Sequence, residues 1–266
     1  MTVAALEPSR ALVTSRRFLS RSRLTVRALY WALRIAISPR AESAGVAREI
    51  ESLGIGALVL VMGASILVGL IAIFQVAYQL EQYAAQAFSV RAIGWFAARE
   101  LGPVVVAILV LTRTASSIAG ELGAMSASTE LDALRAMGLD PVKYLVAPRL
   151  LALLIALPCL TIISDALIGL GGWVGSTFFL RYNPAFFLEQ MRSSFQLRDM
   201  AIGVGKSVVF AAIIAIVSAD EGLSVAPEVG AAGRAASRAV VNALLLVLAA
   251  DTVVNALFYF IPALVV

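Results

Sequence analysis

Residues 90–118 read VRAIGWFAARELGPVVVAILVLTRTASSI, and whether this stretch crosses a membrane decides the topology of the whole chain. Arg91, Arg99, Glu100 and Arg113 interrupt it. Its uncharged centre, Pro103 to Leu111, is too short to cross alone, because a span needs about 20 apolar residues. It spans only if neighbouring helices take care of Arg99 and Glu100. Four other runs need no such help. Leu53 to Leu80 contains no charge, Leu150 to Leu180 only Asp165, Met200 to Ala219 only Lys206, and Ala239 to Val266 only Asp251. Four spans would put both ends of the chain on one side and five would separate them. Five are expected.

Composition agrees with a membrane protein: 61% of the 266 residues are hydrophobic and 14% charged, against roughly 25% charged in soluble domains. There is no His, and the single Cys159 lies in an apolar run. That excludes a disulfide framework, a Cys/His metal site and a His-based triad. No cofactor is expected, nor nucleic-acid binding, and no convergent nucleophile, base or metal set suggests an enzyme. No internal repeat is visible, because the breaks at Gly102-Pro103 and at Gly169 to Gly175 are unlike each other.

Nine Arg (Arg10, Arg16, Arg17, Arg21, Arg23, Arg27, Arg34, Arg40 and Arg48) stand against three acids in the first fifty residues. This bias predicts a cytoplasmic N-terminus and a final span ending outside the cytoplasm. The Arg113 to Arg149 region has four basic and four acidic residues and adds little. Residues 1–40 superficially resemble an organellar transit peptide. The preferred reading is an interfacial helix, with Arg23, Arg27 and Arg34 on one face, Leu24, Leu29, Tyr30, Trp31 and Ile35 as apolar contacts, and Pro39 closing it. Residues 1–45 are thus expected to form a basic interfacial segment and 46–266 the membrane domain.

The connection between the second and third spans carries a short helix from Thr129 to Met137. Ser128 or Thr129 is positioned to cap it, Glu130 and Asp132 lie in its first turn, and Gly138 stops it. Leu131, Leu134 and Met137 follow at i, i+3 and i+6, which suits a groove on a partner protein. The alternative is a helix lying on lipid, against which Glu130 and Asp132 would be repelled by anionic head groups. Gly203-Val204-Gly205-Lys206-Ser207 resembles the tail of a phosphate loop, but the required first Gly is Met200 and no strand precedes it. The chain is not expected to bind ATP itself, and Lys206 is expected to snorkel or to meet a lipid phosphate or an acidic partner.

Two readings stay open for Arg99 and Glu100. They form a self-neutralising pair that positions the helix, or a polar patch where an amphiphile's head group enters a cavity between subunits, with Arg99 facing phosphate. Asp165 and Asp251 have no cation at helical spacing, and each is expected to accept hydrogen bonds locally, from groups such as Ser164 or Asn255. Gly63, Gly69 and the glycines of 169–175 permit close helix packing, including packing between two copies.

RELGPVVVAILVLTR at 99–113, GELGAMSASTELDALRAMGLDPVKYLVAPRL at 120–150 and KSVVFA at 206–211 together resemble the MlaE/YrbE permeases of lipid-transporting ABC systems. The resemblance covers roughly Val46 to the C-terminus. It implies an all-α polytopic protein with five membrane helices, an N-terminal interfacial helix and a short cytoplasmic coupling helix. The implied setting is a bacterial inner membrane, with the N-terminus cytoplasmic and the C-terminus periplasmic. The implied partners are a second copy of the chain, an ABC ATPase subunit that binds the ATP, an MCE-domain substrate-binding protein and, in some systems, a small STAS-domain regulator. The substrate implied is a lipid, with phospholipid the commonest. Carried over by position, Ser128, Glu130, Leu131, Asp132, Leu134, Arg135, Met137 and Gly138 match the coupling helix, and Arg99 and Glu100 match the charged pair near the lipid cavity. The Asp132-Ala133-Leu134 stretch, with Gly138 six residues after Asp132, loosely matches the coupling loop of ABC importers, from which the spacing to Pro148 departs. Asp165 matches no motif of the family. In the implied mechanism, ATP-driven closure of the partner pushes on this helix, and the second and third spans carry the movement to the cavity. The rivals are an ion-coupled secondary carrier using Asp165 or Asp251, and a non-transporting membrane scaffold.

Overall fold

Five helices of the computed structural model are long and apolar enough to cross a membrane: Gly45–Leu80, Val90–Ala127, Val142–Phe179, Leu197–Leu223 and Ala231–Phe258. The structure describes residues 23–36, 43–81, 86–194, 196–228 and 230–260. Arg10, Arg16, Arg17, Arg21, Arg40 and the Pro39 helix stop lie outside them. No β-strand occurs among the described residues. The chain is an all-α polytopic membrane protein, as lipid requires of a backbone that must satisfy its own hydrogen bonds.

In chain order the helices are α1 (residues 23–36), α2 (Ser43–Glu49), α3 (Gly56–Glu81), α4 (Gln86–Phe96), α5 (Gly102–Ala127), α6 (Glu130–Ala136), α7 (Ala147–Val174), α8 (Pro184–Ser194), α9 (Leu197–Leu223) and α10 (Ala231–Phe260). Short π-turns join several of them: Ile50–Ile55, Ala97–Leu101, Val142–Val146 and Gly175–Phe179. At the expected Gly102-Pro103 break the chain stays helical, with the Ala97–Leu101 π-turn just before it and Gly102-Pro103 opening α5. Pro103 lacks an N–H and its ring collides with the carbonyl four residues back, so an unbroken α-ladder is not available there. The wider π-turn absorbs the misfit, and α4 runs on into α5 as one span.

The span that looked weakest is as well enclosed as any of the five. α5 packs against α9, α10 and α7, and Val106, Val110, Leu111, Ile118 and Leu122 are buried along it. The charges that interrupt this span, Arg91, Arg99, Glu100 and Arg113, each have a partner within the protein. The more uniformly apolar α3 shows Val59, Leu67 and Ile71 on its outer face, where lipid is a suitable neighbour.

α1 lies on this bundle. Ala28, Ala32 and Ile35 are buried in the same apolar core as α5, with Leu24 and Trp31 packed partly against it. Leu29 and Tyr30, expected as contacts, are exposed together with Val26 and Leu33. The helix thus has an apolar face toward the protein and a second one away from it, with Arg23, Arg27 and Arg34 exposed.

α3 and α7 pack at backbone distance through glycine. A Cβ on Gly69 would overlap the Ile168 carbonyl oxygen, and one on Gly171 the Ile66 carbonyl oxygen. This close approach is within one chain. Gly63, expected to share in it, has open space where its Cβ would be. Gly171→Val should therefore cost about 1–3 kcal/mol, the usual penalty for overpacking. Thermal melting of the detergent-purified protein should fall for Gly171→Val and stay unchanged for Gly63→Val; equal melting of the two would contradict the assignment.

Candidate functional site

The Ala97–Leu101 π-turn delivers Arg99 and Glu100 to the flank of α9, where Gly203 makes room: a Cβ there would overlap the Ala98 carbonyl oxygen. The two residues do not neutralise each other. Arg99 Nε donates to Asp199 Oδ1 at 2.5 Å, and its guanidinium lies 5.1 Å from the centre of the Trp95 ring. Glu100 Oε1 accepts from Lys206 Nζ at 2.6 Å. The physical reason is reach: adjacent side chains on a helix diverge by about 100°, whereas α9 presents an opposite charge to each.

Lys206 is the hub. It is 2% exposed, and besides Glu100 it donates to Asn255 Oδ1 at 2.6 Å and lies 2.9 Å from Asp251 Oδ1 as an ion pair. It neither snorkels nor faces a phosphate, because α10 brings the acidic partner to it. Asn255 in turn donates to Asp251 Oδ2 at 3.3 Å, the local bond expected there. Asp251 thus has a cation across the helix interface that spacing within its own helix could not reveal. The Gly203 to Ser207 segment is continuous helix, so its amides are tied into the helical ladder rather than aimed at a ligand.

A cavity of about 560 Å³ opens beside this cluster, lined by Trp95, Phe96, Arg99, Glu100, Ile202, Asn255 and Phe258. Its walls combine aromatic and aliphatic surface with the charged Arg99 and Glu100. The cluster sets two cations, Arg99 and Lys206, against three carboxylates, Glu100, Asp199 and Asp251. Asp199 and Asn255 were not anticipated as members. The available signal was that opposite single charges fall in separate spans, since such charges pair across a bundle.

At the other end of α5, about 39 Å away at 1.5 Å per residue, stands α6. It begins at Glu130 and ends at Ala136, shorter than Thr129 to Met137. Neither Ser128 nor Thr129 caps it. Ser128 Oγ turns back to the Met125 carbonyl at 3.4 Å, and Thr129 adopts φ 62°, the left-handed region, which leaves its side chain unable to reach the first amides. The Thr129 carbonyl instead accepts from the Asp132 and Ala133 amides. Gly138, at φ 76°, ends the helix as expected, with its amide bonded to the Arg135 carbonyl and that of Leu139 to the Leu134 carbonyl.

The apolar residues of α6 and its end divide between a buried and an outward side. Leu131 is buried against its own chain, Leu134 is half-buried and Met137 is 65% exposed. Leu131 seats the helix, and Met137 presents the outward apolar surface. Glu130, Asp132 and Arg135 are exposed, with Asp132 and Arg135 paired at 2.9 Å. α1 braces the same end, because Arg27 bonds Asp140 at 2.8 Å. Arg149 joins α7 to Glu49 on α2 and Glu121 on α5.

Asp165 departs from expectation. Ser164 Oγ pairs with Ser65 Oγ at 2.8 Å, and neither oxygen of Asp165, 4% exposed, has a hydrogen-bond partner. No group of three or more potential metal ligands occurs among the described residues.

The model of the family described as Permease MlaE matches residues 46–257. A probable ABC transporter permease protein of Rickettsia typhi is 35% identical over 161 residues, covering 60% of this chain and 62% of the relative. The chain thus spans about three fifths of that relative's length. A protein of the same printed description from Synechocystis is 35% identical over 178 residues, 67% of this chain and 68% of the relative. The intermembrane phospholipid transport system permease protein MlaE of Haemophilus influenzae is 28% identical over 216 residues, 80% of this chain and 82% of the relative.

Proposed function

The chain belongs to the MlaE permease family, and on that premise we propose that it is the membrane subunit of an ABC transporter that moves lipids, phospholipids among them, between membranes. ATP is bound and hydrolysed by a separate ATPase subunit seated on α6, and the permease itself holds no cofactor. Two copies of the chain pair so that their cavities meet, an MCE-domain protein docks at the end opposite α6, and a STAS-domain regulator is a further partner. The protein resides in a bacterial inner membrane with its N-terminus in the cytoplasm and its C-terminus in the periplasm. Residues 46–266 form the permease domain, and 1–45 the basic segment at the membrane surface.

The observation that carries this reading is the cavity at Arg99 and Glu100, whose lining joins those two charges to the apolar Trp95, Phe96, Ile202 and Phe258. Acyl chains bind Trp95, Phe96, Ile202 and Phe258, and the head group meets Arg99 and Asn255. α5 runs unbroken from this cavity to α6, so a push on α6 reaches the cavity through one rod. No group in the cluster needs to exchange ions for this to work.

Arg99→Ala tests the site. Asp199, 2% exposed, would be left as an unpaired buried charge, which is costly, so Asp199→Asn is introduced together with it and folding and assembly of the double variant should survive. Lipid transfer should fall about tenfold, the effect of one lost charge-assisted bond. Transfer at the unaltered rate would remove Arg99 from the site. Mass spectrometry of lipid retained by the purified complex would identify the cargo directly.

A further inference from the structure

A second chamber lies across the Ala97–Leu101 π-turn from the Arg99 cavity. It holds about 410 Å³ between α4, α7 and α8, with Gly94, Ala97, Asp165, Gly169, Trp173 and Met191 among its walls. Two buried polar groups there have no hydrogen-bond partner: both carboxyl oxygens of Asp165, and Trp173 Nε1. Asp165 is held against the start of α5, where a Cβ on Gly102 would overlap its Oδ1. An unmatched buried polar group is costly, and native structures rarely keep one without a use. Asp165 and Trp173 both belong to the lining of one cavity whose surface is almost wholly apolar.

We propose that this chamber is a second lipid site, distinct from the Arg99 cavity, that takes the hydroxyl-bearing end of an uncharged amphiphile, with Asp165 as its hydrogen-bond partner. The absence of any basic residue among the lining side chains disfavours a phosphate head beside Asp165. The aliphatic and aromatic walls, Leu170, Phe187, Leu188 and Met191, accept a hydrocarbon chain. Trp173 lies eight residues further along the same helix, about 12 Å, and its N–H offers a second polar contact to an acceptor oxygen. The site binds lipid whether or not the protein transports it, so its test needs no ATPase.

The full chain in nanodiscs would be photolabelled with three probes that carry a diazirine near one end: hexadecanol, hexadecane and hexadecyl phosphate. Labelled peptides that carry Asp165 to Trp173 or Phe187 to Met191, which line this chamber and not the Arg99 cavity, would then be quantified by mass spectrometry. Hexadecanol should label these peptides about tenfold more efficiently than either other probe, the difference made by one buried hydrogen bond. Asp165→Leu should reduce the alcohol to the level of the alkane. Gly169→Phe, at a position whose Cβ has ordinary clearance from Met191, should abolish labelling by all three and keeps the test decisive if Asp165→Leu does not fold. Equal labelling by alcohol and alkane, preference for the phosphate, or labelling that survives Gly169→Phe would overturn the proposal.

Discussion

Lys206→Met should be the most damaging single substitution in the membrane region. Lys206 is the cation between Glu100 and Asp251, at 2.6 and 2.9 Å, and it is almost fully buried. Removing it leaves two carboxylates facing each other inside a helix bundle. Breaking a buried pair from one side costs about 3–5 kcal/mol, because the remaining charge keeps its desolvation and loses its partner. For a chain of this size that corresponds to a fall of about 10 °C in melting temperature. The cause can be separated from lost packing by neutralising the partners as well. Lys206→Met combined with Glu100→Gln and Asp251→Asn should recover most of the melting temperature while lipid transfer stays low. Melting of Lys206→Met at the temperature of the unaltered protein would show that the cluster is not a structural hub.

Met137→Asp should have the largest effect on assembly and almost none on folding. Met137 is 65% exposed at the tip of α6, while Leu131, 3% exposed, holds that helix to its own chain. An acid at the tip therefore leaves the seat intact and alters only the surface offered to a partner. Central apolar anchors of an interface contribute about 2 kcal/mol or more each, so ATPase binding should weaken about 30-fold. Leu134→Asp should act in the same direction with some loss of stability, since Leu134 is half-buried. Leu131→Asp should instead unseat α6 and destabilise the chain. Undiminished co-purification of the ATPase with Met137→Asp would remove α6 as the docking element.

Much of this architecture was legible in the residues, and the reason differs from place to place. The apolar runs around α3, α7, α9 and α10 announce themselves because lipid tolerates little else. The span formed by α4 and α5 was legible only as a problem: Arg99 and Glu100 needed partners, and the sequence could not name them. Their partners, Asp199 and Lys206, are 100 and 106 positions away, and no periodicity within one helix reports a contact between helices. For the same reason Asp251 looked partnerless, and the Gly102-Pro103 pair looked like a break although the chain continues through the preceding π-turn into α5. At α6 the acids, the apolar side and the Gly138 stop were readable from local rules. The division of that side between Leu131 and Met137 depends on where the helix is seated, which is a tertiary property. The missing side-chain cap has a backbone cause, the left-handed Thr129, that a β-branched residue gives no reason to expect.

The central claim is that this chain forms a lipid passage whose driving force arrives from outside through α6. Proteoliposomes holding the permease, with and without its ATPase, can be mixed with acceptor vesicles, and transfer of fluorescent phospholipid followed as ATP is added. The account predicts ATP-dependent transfer only when both subunits are present, and its loss when Met137→Asp replaces the unaltered permease. Transfer by the permease alone under an ion gradient, with no response to the ATPase, would contradict it.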